Sequence, residues 1–390
     1  MRRVIFLGLV LLALTALAAC GGGEDAAPIS GDSDTEVSLF EELLGTIPDT
    51  PDTRKYVMIN DYAAIREIFQ IPLPGPEAGQ PALLEYLTGI LGPGAHISQG
   101  PFITGLHRDA VSNPRGEYLA FDGRNVDQSV EAGIVPYILE IAWGRFDPAA
   151  TAQALAACSE CPPPENVTYN SVPFYSWGGD GQGDFQNRSG PPAFDELGRG
   201  GRIAVSSKFV YRTVETPGMK AIIDSSSGVG QSLADVEEFR LLGQAMSGLG
   251  AYAAFFSHET HKISTTPDET VTFGTLPGIQ DKLIDEIGKS TLLLPYLAFS
   301  TGVGKDDIGP YMALALVHLD AESAEENERR LEKRVTERSD YPEVQEWLDV
   351  LEGITSQVDG RVLSAKIRGD SPASIWKSLS VAITPLIPHE

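Results

Sequence analysis

From Tyr56 onward, strand-like stretches alternate with helix-like stretches, and this alternation limits the folds that the chain can adopt. Residues 56–60 have strand composition, and Asp61 follows as the cap of a helix with Ile65 and Ile68 on one face. Further strands are predicted at 118–121, 136–143, 172–175, 202–213, 219–223, 252–256, 292–299, 311–319 and 360–367, and helices at 83–91, from 147, from 232, at 322–338 and at 372–380. The pattern predicts an α+β fold: mainly antiparallel sheets with helices packed on one face.

Short segments of similar sequence recur along the chain and indicate an internal repeat. Tyr-Leu-Ala-Phe occurs at 118–121 and again at 296–299, and an Asp followed by an apolar-Arg pair occurs at Asp61 and again at Asp235. The order of the echoes is kept and their offsets are similar. We therefore predict two duplicated α+β halves, with a crevice between them as a natural ligand position. The alternative is that any chain of alternating strands and helices produces such echoes.

The first twenty residues form a leader. Two arginines follow Met1, residues 4–19 form an uncharged apolar run, and the run ends in Leu17-Ala18-Ala19-Cys20. A positive start and a run shorter than a bilayer span are typical of a secretory signal. The ending resembles the lipobox of bacterial lipoproteins. That resemblance implies cleavage before Cys20, lipidation of its thiol and acylation of the new amine, hence a palmitate-type anchor. The alternative is an ordinary secretory signal with a chance cysteine.

The residues after Cys20 are predicted to be a flexible tether, because they are mostly Gly, Asp, Ser, Glu, Ala and Thr. Loss of the leader would change the formal charge of the chain from −25 to −27. Such an acidic protein is repelled by anionic lipid head groups and by nucleic acid, so its membrane attachment would come from the lipid. We expect an extracytoplasmic protein on the bacterial cell membrane, organised as a signal peptide (1–19), lipidated Cys and tether (20–38), a first half (39–215) and a second half (216–390).

Cys158 and Cys161 are predicted to form a local disulfide, as thiols outside the cytoplasm tend to pair. The pair falls at the predicted C-terminal end of the helix that starts at Asp147, and three prolines follow it. A redox-active pair needs the N-terminal end of a helix, where the helix dipole lowers the thiol pKa. A structural disulfide is therefore favoured over redox chemistry, and two cysteines alone do not make a zinc site.

Other candidate motifs are incomplete. His258 and His261 are three residues apart, whereas a zinc-protease helix needs a spacing of four. Ser374 and Lys377 have the Ser-x-x-Lys spacing of penicillin-binding enzymes, but the companion Lys-Thr-Gly is missing. The segments 225–232 and 180–184 are weak candidates for an anion site and a calcium loop, respectively. We therefore predict no catalytic residue, metal ligand or cofactor.

Two classes of function remain open. The first is a non-catalytic lipoprotein that binds a ligand or another protein. The second is a cell-envelope hydrolase whose site is assembled from residues distant in sequence. A cleft that brings catalytic groups within hydrogen-bonding reach would favour the hydrolase.

Overall fold

The computed structural model describes residues 37–75, 77–91, 119–159, 161, 163–181, 201–263, 280–381 and 384–390. Residues 37–390 group into one compact unit by their contacts. The predicted leader, Cys20 and nearly all of the predicted tether lie outside the described residues. No helix among the described residues is both long enough and apolar enough to cross a membrane.

The core of the unit is one twelve-stranded sheet in which every neighbouring pair is antiparallel. Its strands, in chain order, are β1 (Val57–Asp61), β2 (Val126–Ala132), β3 (Leu139–Gly144), β4 (Glu165–Tyr169), β5 (Val172–Ser176), β6 (Arg202–Val205), β7 (Phe209–Thr213), β8 (Ala251–Ser257), β9 (Ala298–Lys305), β10 (Pro310–Val317), β11 (Leu351–Asp359) and β12 (Val362–Gly369). The order across the sheet is β11-β12-β10-β9-β8-β1-β2-β3-β7-β6-β5-β4.

Helices fill most of the connections between strands. They are α1 (Leu39–Leu44), α2 (Tyr62–Phe69), α3 (Gln80–Leu91), α4 (Pro148–Ala157), α5 (Thr216–Ser226), α6 (Glu237–Leu249), α7 (Gln280–Lys289), α8 (Ala321–Thr336), α9 (Pro342–Leu348) and α10 (Pro372–Val381). Helices together with an antiparallel sheet confirm the predicted α+β class. Asp61, Asp147 and Asp320 cap α2, α4 and α8 through side-chain oxygens that accept backbone N–H groups, as short polar side chains do at helix starts.

The sheet buries both of its faces, because successive side chains of a strand point to opposite sides. On the first face the strand side chains pack with residues of α2, α3, α4, α8 and α10, including Tyr62 and Trp376. On the second face they pack with α1, α5 and α6, including Phe40 and Phe239. The expectation of helices on one face is therefore wrong in that detail. β10 is buried along almost its whole length, and its continuous apolar run is the pattern of a strand covered on both faces.

The two predicted halves meet inside the continuous sheet, where β1 pairs with β8. Outward from this junction the first half runs β1-β2-β3-β7-β6 and the second half runs β8-β9-β10-β12-β11, while β5 and β4 extend the first half. The residue echoes match this order only in part. Residues 119–121 form no strand, and Ala120 has φ 58°, whereas residues 298 and 299 begin β9. The duplication therefore stays a prediction.

One predicted strand is a helix. Residues 219–223 belong to α5, which starts with Pro217 in its first turn and buries Met219, Ile222 and Ile223 against the second face. Their spacing of three and four residues is that of a helical face, and the β-branched composition had favoured a strand. The predicted strand at 118–121 is also wrong over its described residues 119–121.

Candidate functional site

Three charged side chains lie side by side on the first face of the sheet. Glu131 of β2 is opposite Glu140 of β3, and Glu140 is opposite Arg212 of β7. Arg212 Nη1 lies 3.0 Å from Glu140 Oε2, and the side chains of Arg212 and Glu140 are only 9% and 3% exposed. A buried ion pair is held by the mutual attraction of its charges, and it is costly to leave either charge alone.

Glu131 is the unusual carboxylate of this row. Burial, followed by the negative charge of Glu140, raises the pKa of Glu131 to about 7. The Tyr56 hydroxyl hydrogen-bonds to Glu131, and burial together with the Glu131 charge raises the pKa of Tyr56 well above its usual value. Glu131 is therefore about half protonated at neutral pH, so it can accept or give up a proton there, whereas Glu140 is paired with Arg212.

Two uncharged polar residues continue this region on β1 and β2. Asn60 of β1 is opposite Ser129 of β2, and neither residue is exposed. Ser129 Oγ donates to Tyr62 Oη at 3.0 Å. Asn60 Oδ1 and Nδ2 have no hydrogen-bond partner among the described residues. We call Asn60, Ser129, Glu131, Glu140 and Arg212 the polar patch.

The polar patch differs from its immediate neighbours on the first face. The next residues of the same register row are Met58 of β1 and Phe255 of β8. A buried amide without partners costs stability, since most buried polar groups are hydrogen-bonded. The patch places an amide, a hydroxyl and a carboxyl that titrates near pH 7 close together on adjacent strands.

Sequence reasoning did not single out these residues. Glu140 is the one charged residue in the predicted strand 136–143, Arg212 lies in the predicted strand 202–213, and Glu131 lies in no predicted element. A lone charge in an apolar strand is the signal that could have drawn attention to Glu140. Its partners could not be found that way, since the register sets them.

The predicted disulfide is present between Cys158 and Cys161, whose Cα atoms are 5.3 Å apart. Cys158 is the C-cap of α4, and its N–H donates to the carbonyl of Ala154 at 3.1 Å. The bridge therefore lies at the C-terminal end of the helix, as predicted. Cys20 lies outside the described residues.

The other motifs are separate in space from the polar patch or have structural partners. Ser374 and Lys377 are both exposed on α10, whose buried side carries Trp376. Asp180 Oδ1 lies 2.8 Å from Arg202 Nη2 and accepts the N–H of Thr216 at 2.7 Å. Residues 182–184 of the predicted calcium loop lie outside the described residues.

The serine-rich segment forms a helix end and a turn. Ser225 and Ser226 end α5, so they do not precede a helix N-terminus. Ser232 begins a short 3-10 turn, where its N–H and hydroxyl both contact Asp235 Oδ2, at 2.8 and 2.9 Å. Ser232 is therefore the N-cap of this turn.

His261 belongs to a second buried polar cluster. No group of three or more metal-ligating side chains converges among the described residues. The ring of His261 packs edge-on against Phe299, and Tyr296 contacts the rings of His318 and His389. Burial and the nearby His389 lower the pKa of His261 to about 4, and burial lowers that of His318 to about 4. We call His261, Tyr296, His318 and His389 the histidine cluster.

The segment 384–390 closes this cluster as a short strap. Residue 389 forms parallel bridges with Lys262 and with Leu293, and Tyr296 Oη donates to the carbonyl of Ile387 at 3.0 Å. Arg334 of α8 donates to the carbonyls of Pro385 and Leu386 at 2.9 and 2.6 Å. The strap is thus held by backbone hydrogen bonds on two sides and by the Arg334 guanidinium.

Comparison with known proteins gives a faint structural likeness. No family model and no curated protein matches the chain. Among solved structures, TP0453 in crystal form I has a TM-score of 0.35 and 9% identity, and the match covers 86% of this chain and 96% of that one. Crystal forms III and IV of TP0453 have TM-scores of 0.36 and 0.37 and 10% identity, and each match again covers 86% of this chain, with 97% and 96% of the other chain. TM-scores and identities this low carry no conclusion about the function of this chain.

Proposed function

We propose that this chain is a lipid-anchored, extracytoplasmic binding protein of the bacterial cell envelope, without catalytic activity. The anchor rests on the resemblance of Leu17-Ala18-Ala19-Cys20 to a lipobox. The binding role rests on the polar patch, where a small polar ligand would hydrogen-bond to side chains of the sheet. No nucleic-acid role is proposed, because the formal charge of −25 repels phosphates.

The observation that carries the binding role is Asn60. Its side chain is fully buried, and neither of its polar atoms has a hydrogen-bond partner among the described residues. A ligand that bonds to both atoms would replace the two hydrogen bonds that Asn60 lost on folding. Glu131, two positions beyond the register partner of Asn60, adds a group that is either a donor or an acceptor near pH 7.

A hydrolase remains the second candidate, because Glu131 and Glu140 are adjacent carboxylates of different character. Glu131 is the group that could act as a general acid, with a pKa of about 7, and Glu140 forms an ion pair with Arg212. The two candidates differ in one respect: only a hydrolase would turn over its ligand.

The test is a thermal-shift screen of residues 37–390 against sugars, nucleotides, amines, lipids and metal ions. A compound that binds only the folded state raises the midpoint of unfolding. The same hits are then measured on Asn60→Leu, which keeps the number and branching of the side-chain heavy atoms and removes both polar atoms. The proposal expects the shift to be lost in this variant.

Thr301→Val is the matched control. Thr301 is also unexposed on the first face, and its Oγ1 likewise has no partner among the described residues, but it lies on β9, beyond β8. The control should keep the ligand shift. A panel without any hit, or hits that survive Asn60→Leu, would contradict a site at the polar patch. If the wild type breaks down one of the hits and the Glu131→Gln variant does not, the hydrolase is favoured.

A further inference from the structure

The two edges of the sheet are unequal. β11 forms one edge with nine residues, and β4 forms the other with five. β11 pairs only with β12, through eight register pairs and one irregularity near its start, between Leu351 and Gly353. A long regular edge strand presents unpaired N–H and C=O groups to any chain that can lie beside it.

The turn between β11 and β12 shows which backbone groups are free. Asp359 and Val362 are register partners, so the turn has two residues, and its first residue, Gly360, has φ 55°. In such a hairpin the flanking pair exchanges both backbone hydrogen bonds, and bonded and non-bonded pairs then alternate. The N–H and C=O groups of Ile354, Ser356 and Val358 therefore point away from β12.

Nothing among the described residues occupies this outer side. Beyond its ladder with β12, β11 makes no backbone hydrogen bond from Gly353 to Asp359 within the described part of the chain. One side of the strand is half-covered by α8, where Ser356 Oγ donates to Glu332 Oε1 at 2.7 Å, and the other side exposes Thr355 and Gln357. The strand lacks the lysines and prolines that commonly block an edge.

We propose that the outer edge of β11 accepts an extended segment of a partner protein as a thirteenth strand. The strand has an uncharged centre from Gly353 to Val358 and an exposed acidic residue near each end, Glu352 and Asp359. The fitting segment is therefore uncharged in its centre and carries Lys or Arg at both ends, because opposite charges on paired strands stabilise the pair.

A second copy of this chain fits the same edge poorly. Antiparallel pairing of two copies would bring Glu352 and Asp359 of both strands into one ladder. The strand carries no basic residue that could pair with these carboxylates. The formal charge of −25 on each copy adds repulsion between them.

The first test uses a labelled synthetic peptide, Lys-Thr-Val-Thr-Val-Thr-Lys, and the full folded unit. Fluorescence anisotropy should show binding, and a peptide with Glu at both ends should bind at least about fivefold more weakly. Ser356→Pro removes one outward N–H, and Ser356→Ala is its control, because both lose the bond to Glu332. The proline variant should bind about tenfold more weakly than the alanine variant. Equal binding by the two variants, or no binding of the Lys peptide up to about 1 mM, would overturn the proposal.

A second test does not depend on the folding of the proline variant. Hydrogen exchange of the wild type, resolved to single amides by mass spectrometry, should show fast exchange at 354, 356 and 358 and slow exchange at 355 and 357. Added Lys peptide should slow the first group. Slow exchange of the first group in the free protein would mean that the edge is already covered. If sedimentation shows a wild-type dimer that Ser356→Pro abolishes, then the edge of β11 binds a second copy of this chain. That result would overturn the proposal that it binds a different protein.

Discussion

Replacement of Glu131 by Gln should change how the stability of the protein depends on pH. The pKa of Glu131 is raised from 4.5 to about 7 in the folded chain. The folded state therefore binds more protons than the unfolded state between these values, and stability falls as pH rises through that window. Gln cannot ionise, so the variant should lose this part of the pH dependence while keeping a similar shape.

The magnitude follows from the shift of the pKa. A difference of roughly 2.5 units at 1.36 kcal/mol per unit corresponds to about 3 kcal/mol above pH 8. Glu131→Gln should thus be more stable than the wild type by about 3 kcal/mol at pH 8.5, where the buried charge of Glu131 is fully developed. At pH 5 Glu131 is almost entirely protonated in the folded state but mostly ionised in the unfolded chain, so the advantage of the variant should fall to about 1 kcal/mol.

The assay is urea unfolding at pH 5 and at pH 8.5, followed by tryptophan fluorescence. Glu325→Gln serves as control, because Glu325 is exposed on α8, and its stability should follow the wild type at both pH values. A Glu131→Gln variant whose advantage is the same at both pH values would refute the reasoning, since the gain would then not come from removal of a buried charge.

Three further outcomes are expected. Glu140→Ala should lower the unfolding free energy by about 3–5 kcal/mol, because it removes the carboxylate 3.0 Å from the buried Arg212 guanidinium. Replacing both residues by Leu and Met should be near neutral; urea unfolding measures both, and equal costs would contradict the pairing. His261 and His318 have pKa values of about 4 in the folded state, so each should lower the unfolding free energy by about 2 kcal/mol as pH falls from 7 to 5. The loss should be smaller in His318→Gln. If the unfolding free energy of that variant falls with pH as much as that of the wild type, the interpretation is wrong. Intact-mass analysis of the native protein should show a chain that starts at Cys20 with acyl chains attached, and Cys20→Ser should lose them; a product that starts at Met1 would contradict the lipobox interpretation.

The sequence predicted the elements with strong local patterns. The helix over 322–338 and the strands over 56–60 and 252–256 were found because their apolar periodicity or caps are local properties. β11 was not predicted, because its residues 351–359 are half-exposed and mostly polar. An edge strand owes its structure to its neighbour across the ladder, and that neighbour is not a property of the segment itself.

The candidate site was less predictable than the fold. Glu140 and Arg212 are 72 positions apart in the chain, and Asn60 and Ser129 are brought together only by the pairing of β1 with β2. Sequence motifs detect groups at short fixed spacing, whereas a sheet collects one residue from each strand. The disulfide was predictable for the opposite reason, because Cys158 and Cys161 are neighbours on a single turn of chain.

The position of β1 has a consequence for how the protein folds during its synthesis. β1 is the first strand in the chain, yet it lies in the interior of the sheet, and its partner β8 follows about 200 residues later. During synthesis β1 therefore has an open apolar flank until β8 arrives, and contacts of such long range slow folding. The nascent chain should depend on a holding chaperone through this interval, and a cut between the two strands should leave an aggregating N-terminal fragment.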